Sequence, residues 1–276
     1  MKAELEALRE RVARLERGSS PVSGPAAGAR FSTGSRAIDT ALGGGLSRGA
    51  LHEVFAEGMA DEPAAAAFAI MLALRASDAK PIVWVRQDFV GLEMGEIYAP
   101  GLVELGLSPD RLILVRARDG PSVLRAGEEA ARCPPLGAGL VEPWGNPKTL
   151  DLVATRRLAL AAARADLPVL MVRAGGTPTP SAAASRWRVR SAPSRQMEAE
   201  APGHPCFVAD LLRDRAGAAG RGWTVEWNRD RLAFTDIPFT GIPISDISGS
   251  DAALPGHVVS AAAGGPDHPA EERRAG

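Results

Sequence analysis

The sequence predicts an α/β fold: a mostly parallel sheet flanked by helices, with an antiparallel C-terminal extension. Three features predict it. Between residues 51 and 173, short apolar runs alternate with helical stretches, the pattern of parallel strands buried on both faces. After residue 185, strand-like segments follow one another closely, separated by turn residues rather than helices. At the head of the alternation, Leu51–Phe55, the loop Ala56–Pro63 and the Ala/Leu-rich stretch Ala64–Ala76 make a strand–loop–helix unit.

Taken in order, Lys2–Arg17 is predicted as a helix with apolar residues at Leu5, Leu8, Val12 and Leu15. This 3-4-3 spacing gives a narrow stripe flanked by Glu and Arg. Two heptads are marginal alone, so the arm at residues 1–17 is expected to dock, either on a partner (a second copy included) or on its own domain. Residues 18–29 form a Gly/Ser/Pro/Ala linker, and the domain proper spans 30–240. At its start Ser35 is placed to cap a short helix that the Gly43–Gly45 run ends. Pro81–Arg86, Arg111–Val115, Ala138–Glu142 and Pro168–Arg173 read as strands, Arg111–Val115 as a buried one. Leu92–Gly106, interrupted at Pro100, then Ser122–Arg132 and Leu150–Ala165 read as helices. Arg186–Arg190, Phe207–Arg213, Gly222–Trp227 and Leu232–Thr235 read as antiparallel strands, with turn chemistry at Arg221–Gly222 and Asn228–Asp230. Residues 241–276 are rich in Gly, Ser, Pro, Ala and Asp without periodicity, and disorder is expected there.

With 276 residues, one α/β domain plus appendages is expected, and a hydrophobic fraction of 45% suffices for its core. A net charge of −1 argues against a global positive field that would pull the protein onto nucleic acid. Cys133 and Cys206, each beside a proline, give no disulfide framework and suit a reducing cytosol. The N-terminus is densely charged rather than signal-like, and no apolar run reaches membrane-spanning length. A cytoplasmic protein without membrane contact is therefore expected. His52 and His204 lack metal-like neighbours, so structural roles are expected for both, and no Ser/His/Asp arrangement supports hydrolysis.

The strand–loop–helix unit stands where a phosphate-binding loop would. Such a loop needs Gly-x-x-x-x-Gly-Lys-Ser/Thr: amides to cradle phosphates, a Lys on the outer phosphates and a hydroxyl on Mg²⁺. Here Gly58 is present, but no Lys, Ser or Thr follows it before the helix. Asp61 and Glu62 stand at the helix start instead, where carboxylates satisfy the N-terminus and repel a triphosphate. The one basic concentration runs from Arg173 to Arg195, with five arginines and no acid. Arg186, Arg188 and Arg190 alternate with Trp187 and Val189, which in a strand puts three guanidinia on one face. That face reads either as a site for phosphate backbone or an acidic partner, or as a solvated surface behind a core Trp187.

The segment Phe31–Phe55 resembles the stretch that leads into the P-loop of RecA-like recombinases, and Leu211–Trp227 is similar to that superfamily's closing hairpin. Leu140-Val-Glu-Pro-Trp-Gly145, Pro180–Arg190 and Pro193-Ser194 make the chain resemble the ImuA family within it. These are RecA-like proteins of a DNA-damage-inducible cassette with ImuB and an error-prone replicative-type polymerase. The resemblance covers about residues 30–240 and implies a RecA-like domain with a degenerate P-loop. It puts Glu142 where a Mg²⁺-positioning Asp ends a strand, and Asp88 near the place of a water-activating Glu. The DNA-contacting loops match Pro143–Lys148 and Ala174–Pro180, both short. Trp144 could stack on a base and Lys148 could pair with a phosphate; the alternative is a capped loop with an indole lid.

The implied function is non-catalytic and cofactor-free: an accessory protein of SOS-induced translesion synthesis, acting through an ImuB-like Y-family adaptor. RecA and the polymerase are further candidate partners, and direct DNA binding is expected to be weak or absent. The rivals are a RecA-type ATPase with an atypical phosphate loop and a SulA-like cell-division inhibitor.

Overall fold

The computed structural model describes residues 29–195, 201 and 203–237. The arm with Leu5, Leu8, Val12 and Leu15, the linker apart from Ala29, and the tail at 241–276 lie outside the described residues. Two short strands, β1 (Arg30–Phe31) and β2 (Leu46–Ser47), pair antiparallel around helix α1 (Arg36–Ala41). Ser35 caps α1 by accepting from the Ile38 amide, and Gly43, Gly44 and Gly45 take positive φ after it, as expected of a glycine run that ends a helix.

The main sheet has nine strands: β3 (Leu51–Ala56), β4 (Ile82–Gln87), β5 (Leu112–Ala117), β6 (Ala138–Glu142), β7 (Val169–Val172), β8 (Ser185–Ala192), β9 (Cys206–Asp214), β10 (Arg221–Asn228) and β11 (Ala233–Asp236). Their spatial order is β11-β10-β9-β8-β3-β7-β6-β4-β5. Strands β8, β3, β7, β6, β4 and β5 are parallel, and β9, β10 and β11 run antiparallel. Helix α2 (Glu62–Ala76) covers one face. Its alanines and unbranched apolar residues favour helix, and Pro63 fits the first turn. Phe68 of α2 meets the rings of Trp187, Phe207 and Phe234 at 6.0, 5.9 and 5.0 Å, so the antiparallel strands are welded to the parallel core by aromatic packing. The other face is covered by α5 (Gly120–Ala130) and α6 (Leu152–Ala165), with α3 (Asp88–Met94) and α4 (Ala99–Glu104) lying between β4 and β5 in the chain. Asp119 and Asp151 cap α5 and α6, accepting from Ser122 and Ala154 amides at 2.8 Å.

Three expectations are corrected. Leu92–Gly106 is not one interrupted helix: α3 begins at Asp88, ends at Gly95, which has φ +82°, and α4 starts afresh with Pro100 in its first turn. β5 is not buried, because among the described residues it is the terminal strand and pairs only with β4; Ile113 and Leu114 are 48% and 41% exposed. β8 is antiparallel only to β9; towards β3 it is parallel, so it is the hinge between the two sheet types.

Two buried polar groups hold this hinge. Glu53 of β3 is fully buried, and its Oε1 accepts from Arg173 Nη1 at 3.0 Å. Its Oε2 accepts from Arg186 Nη2 and Ser181 Oγ, both at 2.7 Å. Both guanidinia also lie over the Phe55 ring, at 5.1 and 5.5 Å. On the other face His52 bonds Ser185 Oγ and the Ser47 carbonyl at 2.7 and 2.8 Å. Burial lowers its pKa to about 4, so the folded state keeps it neutral, the structural role expected of it.

Glu53→Gln strands two buried guanidinia and is expected to cost about 3–5 kcal/mol in urea unfolding. His52 binds its proton below pH 6.5 in the unfolded chain but only near pH 4 when folded, so its contribution is lost as pH falls through that window. The stability advantage over His52→Gln is expected to be about 2 kcal/mol smaller at pH 5 than at pH 7, by the same unfolding measurement.

Candidate functional site

The loop after β3 is short and already bonded. Glu57 N–H donates to the Val189 carbonyl and Asp61 N–H to the Gly58 carbonyl, both at 2.9 Å, and a 3₁₀ turn over Met59–Asp61 leads into α2. Gly58 is extended, φ −151° and ψ 176°, and a Cβ on it would meet nothing. No left-handed conformation or close approach requires glycine there. Asp61 and Glu62 do stand at the positive end of α2, but neither side chain caps the helix as expected. Asp61 Oδ1 accepts from Ser191 N–H and Oγ at 2.9 and 3.0 Å, and Glu62 Oε1 accepts from Gly175 N–H at 2.7 Å. The carboxylates thus reach sideways to donors on β8 and on the loop after β7.

Beneath the start of α2, Glu142 closes β6. It is 2% exposed, and its Oε2 accepts from Trp84 Nε1 and Arg86 Nε, each at 2.9 Å. Burial pushes the Glu142 carboxyl up to about 7, against the pull of Arg86, and nearby Glu62 adds to the rise. Burial raises Glu62 as well. Asp88 is turned away from this group: it pairs with Arg116 at 3.1 Å on the outer side of α3. The structure thus brings Glu62 and Glu142 together with Arg86, and leaves Asp88 in a surface ion pair.

The other predicted positions separate too. Trp144 is half-buried, edge-on to Phe89 at 5.3 Å, and its ring lies where a Cβ on Gly175 would come within 3.1 Å. Gly145 N–H donates to the Ala174 carbonyl at 2.7 Å, so the loops after β6 and β7 are joined by backbone, and Trp144 lies over the junction as an indole lid. Lys148 is exposed at the far end of the first loop. The arginines of β8 have internal partners. Arg186 is bound to Glu53, Arg188 pairs with Asp210 at 3.2 Å and Arg190 with Glu57 at 3.1 Å. Each guanidinium is matched by a carboxylate from a neighbouring strand or loop.

Glu53 is the residue that reading the sequence passed over. An acid inside Leu51-His-Glu-Val-Phe55 was the available signal, because a buried strand carries a carboxylate only against buried cations.

No protein-family model matches the chain. It is 36% identical over 212 residues to Protein ImuA of Caulobacter vibrioides strain NA1000 / CB15N, an alignment covering 71% of this chain and 82% of that protein. The same values hold for Protein ImuA of strain ATCC 19089 / CIP 103742 / CB 15. Among solved structures, the RadB recombinase superposes with a TM-score of 0.51 over 75% of this chain and 100% of its own, at 18% identity. That likeness is one of fold: a mostly parallel sheet between helices, extended by antiparallel strands, which is RecA-like. With that fold, and with 36% identity over four-fifths of two curated relatives, the chain belongs to the ImuA family.

Proposed function

We propose that this protein is a non-catalytic accessory factor of SOS-induced, error-prone translesion synthesis in the cytoplasm, working through protein contacts with an ImuB-like adaptor. The observation that carries the non-catalytic part is the strand–loop–helix unit after β3. A triphosphate needs free amides and a cation at this helix end. Here the amides of Glu57 and Asp61 are spent on Val189 and Gly58, and Asp61 and Glu62 bring negative charge. Membership of the ImuA family supports the cellular role. The ion pairs of Arg186, Arg188 and Arg190 support the expectation of weak or absent DNA binding, since a paired guanidinium has to break its partner's hold before it meets a phosphate. RecA and the cassette's polymerase are secondary candidate partners, and the arm with Leu5, Leu8, Val12 and Leu15 is the candidate contact, for the adaptor or for a second copy.

Purified full-length protein is expected to release no phosphate from radiolabelled ATP above background with Mg²⁺ present. Metal-dependent turnover that Glu142→Gln abolishes would overturn the reading. In a pull-down with the ImuB-like adaptor, the double variant Leu8→Glu/Leu15→Glu is expected to lose at least tenfold in recovery while its thermal melt is unchanged. Undiminished recovery removes the arm as the contact.

A further inference from the structure

A cavity of ≈ 210 Å³ opens between α2, the ends of β4 and β6, and the α3–α4 connection. It is smaller than the ~300–1,000 Å³ that takes a drug-sized ligand, so it suits a group the size of one side chain. Its walls are apolar, with Ala66, Ile70, Leu102 and Leu105 among them. Glu62 and Glu142 bring carboxylates to it. Glu62 is 6% exposed, and its Oε2 is buried with no hydrogen-bond partner among the described residues. A buried carboxylate oxygen with no donor costs free energy of the order of 1–3 kcal/mol or more, and the cavity is where a donor can come from. Arg86, with its Nε on Glu142 and its Nη1 on the Gly95 carbonyl at 2.8 Å, makes no hydrogen bond to Glu62. Glu96 lines the same cavity and pairs outward with Arg116 at 3.1 Å. Of the lining acids, Glu142 pairs with Arg86 and Glu96 with Arg116, so Glu62 is the one with no ion pair among the described residues. Trp84 and Tyr98 add ring surfaces, and Tyr98, 73% exposed, stands towards solvent.

We propose that this cavity binds an organic cation on an apolar stem, an alkylguanidinium or alkylammonium group, with Glu62 Oε2 as the acceptor of its N–H. The stem packs on the aliphatic walls, and the aromatic rings favour a cation over a neutral head. A guanidinium fits better than an ammonium, since its fork of donors can reach Glu62 and Glu142 together. The same group is presented by an arginine side chain of a partner protein and by a free small amine. This assignment does not rest on the translesion reading, and neither stands or falls with the other.

The test uses the ¹⁵N-labelled full chain and follows the Trp84 indole N–H, which sits on Glu142. Butylguanidinium is expected to shift it saturably with a Kd in the ~millimolar range, and its neutral isostere butylurea to bind at least tenfold more weakly. Glu62→Gln, which keeps an acceptor for Gly175 N–H, is expected to lose at least tenfold in affinity. Ala66→Leu, which fills the cavity and leaves the acids in place, is expected to abolish the shift. Equal binding of butylurea, or an unchanged Kd in both variants, would overturn the proposal. N-acetyl-arginine-amide binding more tightly than butylguanidinium points to a polypeptide source, and no tighter binding points to a free amine; either supports the site.

Discussion

Glu53 sits between Arg173 and Arg186 with no access to water, and the arrangement of the sheet's catalytic-looking end follows from it. Removing a carboxylate from solvent is costly unless its charge is met and its lone pairs are filled. Two guanidinia and the Ser181 hydroxyl fill them here. The acid comes from β3, one cation follows β7 and the other begins β8, so one network registers three neighbouring strands where parallel pairing gives way to antiparallel. Arg173 extends it by donating to Asn146 at 2.7 Å, which ties in the loop after β6. Arg173 and Arg186 are thus both committed to an internal partner.

The same substitution of internal partners for external ones recurs at the start of α2. A helix N-terminus attracts negative charge, and in this chain Asp61 and Glu62 supply it from the sequence itself. Each acid is then held by a donor on a neighbouring segment, Ser191 of β8 or Gly175 after β7. The helix end is thereby cross-tied to the sheet. Beside it, burial raises the proton affinity of both Glu142 and Glu62, with Glu62 adding to the rise at Glu142 and Asp61 to the rise at Glu62. Electrostatically the region is the inverse of an anion cradle, which links the proposed absence of nucleotide chemistry with the proposed taste for cations.

Much of the fold was legible because strand and helix periods leave their mark on composition. β3, β4, β6 and β7 and helices α2, α5 and α6 fall within a few residues of where apolar runs and caps put them. The errors have a common physical origin: the sequence of an edge strand and of a central strand can be equally apolar, so Leu112–Val115 gave no hint that β5 ends the sheet. The direction in which β8 pairs is set by a distant partner and leaves no local trace. At the site, the acids at 61, 62 and 142 were visible as residue types, but their partners were not. Arg186, Arg188 and Arg190 looked like a basic stripe because Glu53, Asp210 and Glu57 are far along the chain and adjacent only after folding. Trp144 declared itself as an aromatic on a short loop, and its packing over Gly175 shows only in the folded structure.

The outer margin of β5 carries a consequence for solubility. A terminal strand presents unpaired amides and carbonyls, and here Ile113 and Leu114 add greasy surface to them. Arg116, a charged residue in the same strand, is of the kind that discourages edge-to-edge pairing. Arg116 is itself held in place by Asp88 and Glu96. The surface pair that holds Asp88 thereby also fixes a charged side chain on the open margin of the sheet.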